Sequence, residues 1–434
     1  MTPRLLVSLR RLSLCLLAGL PLSSTAQTYT QTEVITYHDN TTKWVLGQVA
    51  KRVVDGITAE ETTFDATYAL PLTVKSFGKL QQTLTWDTTS AVSTGQRGTL
   101  KTVKDGNNNL TTVSNWKRGI PQSITHADST TQSATVNDNG WITAVTDETG
   151  SKTCYAFDAM GRISQVTYPS EAAANTCNTS TWNATTQAFV PVASAEVGIA
   201  AGHWRQTVAT GNARRITYFD ALWRPLVTRE YDTANEAGTQ RFQRFAYDHD
   251  GRVTFASYPG TTDALTTGVH TTHDALGRVT AAAQDSELGT LTTTTEYLTG
   301  FQTRVTDPKG NQTTTSYQTY DQPTYDWPVT IAHPAAAWTH ITRDAFGKPT
   351  RIRRSNNASA TGGTVYVNRD YTYNANQEPC RAVEPETGAT LYGYDAAGNL
   401  KWSAAGLPTD TACETNGTST TVAARRVDRS YDAR

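Results

Sequence analysis

Residues 155–166 read YAFDAMGRISQV, and the same grammar returns as TYFDALWRPLV (217–227), AYDHDGRVTFA (246–256), THDALGRVTAA (272–282), TRDAFGKPTRI (342–352) and GYDAAGNLKWS (393–403). Each copy runs from an aromatic or threonine-rich stretch into an aspartate. Two variable residues follow, then usually glycine, a basic or amide residue, and an alternating apolar run. The aspartates are Asp158, Asp220, Asp248, Asp274, Asp344 and Asp395, and the glycines three residues on are Gly161, Gly251, Gly277, Gly347 and Gly398. An aspartate carboxylate accepts hydrogen bonds from backbone N–H groups two residues on, and glycine takes positive φ without a Cβ penalty. D-x-x-G therefore reverses the chain. The alternation before it (Tyr155, Phe157; Tyr371, Tyr373) and after it (Ile163, Val166; Val253, Phe255; Leu400, Trp402) suits strands with one buried face, so each copy predicts a β-hairpin. A lone hairpin is marginal in water, whereas hairpins side by side build one continuous sheet.

Looser copies stand at Asn137-Asp138-Asn139-Gly140, Tyr320-Asp321 and Tyr373-Asn374, and Tyr431-Asp432-Ala433-Arg434 opens another. Asp147-Glu-Thr-Gly150, Asp307-Pro-Lys-Gly310 and Glu384-Pro-Glu-Thr-Gly388 fall between them, so turns recur about ten residues apart, the spacing of ordinary strands. Upstream, Phe77-Gly78-Lys79, Thr85-Trp86-Asp87, Gly98-Thr-Leu-Lys101 and Val103-Lys-Asp-Gly106 look like degenerate copies. Trp223 replaces the glycine of its copy, which predicts a turn closed differently. Asp105-Gly106-Asn107-Asn108-Asn109 has the flavour of a calcium loop but lacks its alternating acids, and a type I′ turn is the expectation. A recurring turn aspartate reads as architecture, with Arg162, Arg252 and Arg278 laying their stems over neighbouring strands.

Composition agrees. Charged residues make up 18% of the 434 and hydrophobic ones 37%, while there are 19 Tyr, 10 Trp, 30 Gly and only 2 Met. That is strand and turn material, with little of the Leu/Glu/Lys/Ala periodicity of long helices. A formal net charge of −1 gives no general attraction to nucleic acid, and no motif suggests such a partner.

Residues 1–26 read as a secretory signal peptide: Arg4, Arg10 and Arg11, a short apolar run from Leu12 to Leu22, then Ser24-Thr25-Ala26 before Gln27. The run is about half of the roughly 20 residues a membrane span needs, so the chain is read as exported to the periplasm, cell surface or medium and not membrane-spanning. Leu14 before Cys15 argues against lipidation. Removing the leader leaves Cys154, Cys177, Cys380 and Cys413, an even number suited to disulfides in an oxidising compartment. Three pairings are possible. Cys154–Cys177 and Cys380–Cys413 are favoured because each pair brackets one copy of the repeat; four unpaired thiols are the alternative. Zinc is disfavoured by the lack of any C-x-x-C pair.

The YDAxGR motif with its roughly 20-residue period resembles the YD repeats of RHS (rearrangement hot spot) proteins, found also in teneurins and in the C components of insecticidal toxin complexes. The resemblance covers at least 136–434. It implies an all-β fold in which stacked antiparallel hairpins form a spiralling sheet around a large cavity. In polymorphic toxins such a shell encloses a C-terminal toxic domain that a core aspartyl autoprotease releases. The present sequence departs from that plan. Asp307-Pro308-Lys309-Gly310 begins like the core segment but continues Asn-Gln-Thr, no non-repeat domain follows, and the last copy stops at Arg434. These features predict a partial or open shell.

No G-x-S-x-G elbow, H-E-x-x-H, P-loop or G-x-G-x-x-G occurs, and His270 and His273 fall on opposite sides of a strand. The sequence therefore assigns no catalytic residue, cofactor or metal, and predicts a non-enzyme. Trp141, Trp204, Trp223, Trp327, Trp338 and Trp402 would either fill buried faces or stack on sugars. The organisation expected is a signal peptide (1–26), a β-rich region of degenerate repeats (27–135) and an RHS/YD-repeat body (136–434). The expected role is a shell or scaffold segment that encloses or displays a polypeptide, completed by a remaining shell segment, in bacterial competition or host contact. The alternative is a secreted carbohydrate-binding module whose partner is a glycan.

Overall fold

A computed structural model describes residues 29–91, 95–178, 182–320 and 324–433, together with the backbone pairing of Leu6–Val7. Apart from that pairing, segment 1–26, read above as a signal peptide, and Asp321 lie outside the described residues.

From Glu33–Asn40 to Arg426–Asp428, every strand pairs antiparallel with the strands that precede and follow it in sequence. The result is one uninterrupted antiparallel sheet. Glu236–Thr239 and Thr420–Ala423, one turn each, are the helices among the described residues. The chain is all-β, as the repeat predicts.

The hairpins share one irregularity. Phe157 faces Ile163, Tyr247 faces Val253, His273 faces Val279, Tyr373 faces Pro379, and each of these pairings follows a one-residue register shift. A bulge beside the turn is what a type I turn closed by a left-handed residue produces. It also explains why Pro225, Pro349 and Pro379 can open their strands, since the bulge relieves that position of a ladder hydrogen bond.

One sheet without a second layer cannot bury a broad core. Pro71–Ser76, for instance, is half-buried at every residue. Single residues such as Val54 and Val136 are buried along the sheet, and the two buried clusters lie where a loop folds back onto it. Ile199, from the loop before His203–Thr210, packs with Ile216, Tyr218, Val227 and Phe242. Val422 packs with Ala389, Leu391, Trp402, Ala404 and Leu407. Burying side chains of this size stabilises by about 1.5–3 kcal/mol each. Each disulfide ties a loop cysteine to a strand, Cys177 to Cys154 and Cys413 to Cys380, with Cα atoms 6.0 and 5.6 Å apart.

The sheet also comes round on itself. Gln31 Nε2 donates to the Ala345 carbonyl at 2.6 Å, and Asn376 Nδ2 donates to the Phe77 carbonyl at 2.9 Å. Residues some 300 positions apart thus meet with no strand pairing between them.

Candidate functional site: a ladder of aspartate turns

The turns line up, and their side chains form the most regular polar structure in the molecule. In the turn at Asp248, Oδ1 accepts the backbone N–H groups of Asp250 (3.0 Å) and Arg252 (2.9 Å), while Oδ2 accepts Arg252 Nε (2.6 Å). Asp158, Asp220 and Asp274 repeat this pattern with Arg162, Arg224 and Arg278. At Asp344 the backbone part is kept, with Phe346 and Lys348 as donors. At Asp395 the second oxygen accepts Asn399 Nδ2. The glycines hold the positive φ that closes each turn, for example Gly251 at 83° and Gly398 at 95°.

The hydrogen bonds favour the ionised carboxylates. For Asp274 the Arg278 guanidinium, and for Asp158 the Arg162 backbone N–H, are the leading reasons its carboxyl is held below the usual aspartate range. For Asp220 and Asp248 desolvation pushes upward, yet the bonds from Arg224 and Arg252 outweigh it and both are lowered.

Arg224, Arg252 and Lys348 also reach the following turn, while Arg162 and Arg278 reach a ring on a later strand. Arg224 Nη1 donates to the Asp248 carbonyl at 3.1 Å with its guanidinium 4.8 Å from the Tyr247 ring centroid. Arg252 Nη1 donates to the Asp274 carbonyl at 3.1 Å. Arg278 lies 3.9 Å from the Tyr297 centroid, and Arg162 4.8 Å from that of Phe189. Lys348 donates to the Gln377 carbonyl and sits 5.3 Å from the Tyr373 centroid. The tyrosines bond backwards: Tyr247 to the Pro225 carbonyl (2.8 Å), Tyr373 to Pro349 (3.0 Å), Tyr431 to Leu400 (3.0 Å). Each of those carbonyls belongs to the residue five after the preceding turn's aspartate. Tyr247 thus ties to the previous unit while the adjacent Asp248 builds its own turn, and Tyr373 and Asn374 divide the work in the same way.

Residues 136–173 match the family model described as RHS Repeat. The chain carries an RHS repeat. The crystal structure of TcdB2-TccC3 without its hypervariable C-terminal region is similar at a TM-score of 0.50 and 12% identity, over 87% of this chain and 20% of that one. TcdB2-TccC3-Cdc42 gives 0.47 and 12%, over 86% and 20%, and the Photorhabdus luminescens Tc holotoxin pore with a TccC3 mutation gives 0.46 and 12%, over 86% and 21%. The present chain spans about a fifth of the length of those chains. No curated protein matches it. The likeness is one of fold.

Three turns differ from the sequence reading. Trp223 does not force another closure: its N–H donates to the Asp220 carbonyl at 3.1 Å, and it takes the glycine's place at φ 63°. Stacking holds it there, against Phe189 (ring centroids 5.1 Å apart) and Trp204 (5.2 Å). The 105–109 turn is not type I′. Asn108 occupies the left-handed position at φ 68° and Asp105 Oδ1 accepts the Asn109 N–H at 2.8 Å, so it is a repeat turn with asparagine for glycine. In the 137–140 turn, Asn137 makes the turn bonds, to Asn139 and Trp141, while Asp138 points out to Lys117.

Glycines of the repeat have a second use as floors for tryptophans. A Cβ on Gly161 would lie 2.8 Å from the Trp141 ring, and one on Gly347 would lie 2.5 Å from that of Trp327. Trp402, 2% exposed, covers Gly393 and Gly417. These three tryptophans are structural. Trp204 and Trp223 instead form an open aromatic group with Phe189 and Phe219, and Trp223 is 52% exposed. Among the described residues no cluster of three or more His, Cys, Asp or Glu is placed to hold a metal ion, and no helix is long and apolar enough to cross a membrane.

Proposed function

We propose that this chain forms wall in an exported RHS-type shell that encloses or displays a polypeptide, with 27–135 as its degenerate-repeat region and 136–434 as its repeat body. The observation that carries this reading is the uninterrupted single-layer sheet whose early turns meet its late ones. A wall one sheet thick has little core to form a catalytic cleft, and its repeat turns use their carboxylates up in backbone and arginine bonds. The role is therefore mechanical and non-enzymatic: to bound a space. The N-terminal leader and the two disulfides suit an oxidising compartment outside the cytoplasm. The neighbouring shell segment and a polypeptide cargo are the partners this assigns, in competition between bacteria or contact with a host.

The test is to fuse an unfolded, protease-sensitive reporter after Arg434 and follow its digestion beside a free reporter. Survival of the fused reporter while the free one is cut supports enclosure; equal cleavage rates would sink it. Sequencing the N-terminus of exported material should start at Gln27.

A second reading rests on the open aromatic group of Phe189, Trp204, Phe219 and Trp223, whose rings suit stacking on a sugar. Quenching of tryptophan fluorescence by glycans, lost in Trp223→Ala, checks it.

A further inference from the structure

Two turns near the end of the sheet lack the basic residue that the ladder uses. Four residues after Asn374 stands Glu378, and four after Asp395 stands Asn399. On the pattern of Arg224, which donates to the Asp248 carbonyl beside the Tyr247 ring, a cation at position 378 would donate to the Asp395 carbonyl and lie near the Tyr394 ring. A cation does so, but it comes from the other end of the chain. Lys79 Nζ donates to the Asp395 carbonyl at 2.8 Å, lies 5.9 Å from the Tyr394 centroid, and forms an ion pair with Glu378. The pair is largely shielded, with side chains 12% and 17% exposed. The next turn follows suit. Asp395 Oδ2, which an arginine occupies in four other turns, also accepts Asn107 Nδ2 at 2.8 Å, and Asn107 Oδ1 accepts the Ala397 N–H at 3.2 Å. Phe77 packs edge-on against Phe346 at 4.8 Å, with Lys348 5.0 Å from its centroid. A Cβ on Gly106 would lie 2.2 Å from the Ala396 carbonyl oxygen, so the backbones touch as well.

We propose that Lys79 and Asn107 form a latch that completes the turn ladder in trans, and that this seam is the place where the wall opens. Every other junction between successive turns is spanned by paired strands. Across the seam, among the described residues, no strand pairs with another, and the halves are held by the side chains named above together with Gln31 and Asn376. Local opening starts where backbone hydrogen bonding is sparsest, and here that is the seam. The latch itself stands on the geometry alone; its meaning as a gate rests on the wall reading.

The experiment compares hydrogen exchange of the full chain with that of Lys79→Glu, Glu378→Lys and the double swap. Each single variant places like charges in a shielded site, so exchange in 105–109 and 395–399 should rise on the order of tenfold, and the swap should bring it back. Asn107→Ala is the gentle variant: its hairpin is closed by Asp105 and Asn108, so only the two seam bonds go, and 395–399 alone should exchange faster. Single variants that exchange like the parent, a swap no better than the singles, or protection lost evenly along the strands of Asn107→Ala would each overturn the latch. Reporter protection in the parent tests the wall separately. If it fails while the swap rescues, the latch stands and the enclosure reading falls.

Discussion

Trp223 offers a direct reading of how strictly the turn geometry is imposed. It is a bulky residue at φ 63°, and left-handed backbone costs a side-chain-bearing residue roughly 1–2 kcal/mol. Trp223→Ala keeps that cost and loses the ring pairs with Phe189 and Trp204, each worth about 0.5–1.5 kcal/mol. Trp223→Gly loses the same rings but sheds the left-handed cost. Against this stands the extra backbone entropy of glycine, about 0.5–1 kcal/mol. The difference leaves Trp223→Gly more stable than Trp223→Ala by about 1 kcal/mol, near fivefold in local opening. Ala221 in the same turn has no positive φ, so Ala221→Gly should destabilise by about 0.5–1 kcal/mol. Hydrogen exchange in peptides covering Ala213–Phe219 and Pro225–Asp232 reads all three variants locally, which matters because a long repeat array need not unfold in one step. Protection in Trp223→Gly equal to or below that in Trp223→Ala would refute the left-handed assignment and the closure built on it.

Other expectations follow from the same contacts. Tyr247→Phe strands the Pro225 carbonyl and should cost about 1 kcal/mol, seen as faster exchange in both hairpins it joins, with no change near Tyr373. Replacing Cys380 and Cys413 by serine frees a loop of 33 residues and should lower stability by about 3–4 kcal/mol, measured as an earlier denaturant midpoint for Gly388–Tyr394 and Leu400–Leu407. The carboxyls of Asp158, Asp220, Asp248 and Asp274 are depressed in the folded chain, so their contribution is complete above the unfolded aspartate value of about 3.9 and is lost as pH falls through the folded values. Protection at those turns, taken relative to the intrinsic exchange rate at each pH, should hold down to about pH 4 and fall below it, whereas the turn at Asn137, closed by a neutral amide, should respond less.

The fold was legible because the repeat encodes it locally. Asp158 and Gly161 act within five residues of one another, so motif and turn coincide. What escaped the sequence reading acts between units. A tyrosine just before the turn residue could have suggested a link to the previous hairpin, since Tyr247, Tyr373 and Tyr431 share that position, although Phe157, Phe219, His273 and Arg343 take it in other copies. Trp223 misled because glycine's freedom was taken as a requirement, whereas stacking on Phe189 and Trp204 supplies the compensation. Asn108 was missed since a run of asparagines fits several turn types and only the partners of Asp105 decide between them. The seam had one faint trace, the acidic residue at 378 where the preceding turn carries Lys348 and earlier ones carry Arg224, Arg252 and Arg278. Nothing local to Lys79 identifies it as the missing cation, because the curvature that brings it there accumulates over the whole sheet.

The most direct test of the central claim, a sheet of stacked turns that comes round once to meet itself, needs no mutation. A zero-length carbodiimide cross-linker joins a lysine to a carboxylate only when they are in contact, and Lys79 and Glu378 are in contact across 299 residues. Mass spectrometry of the cross-linked monomer should find the Lys79–Glu378 isopeptide bond. Its absence, while closer pairs such as Lys75–Glu61 are joined, would contradict the account.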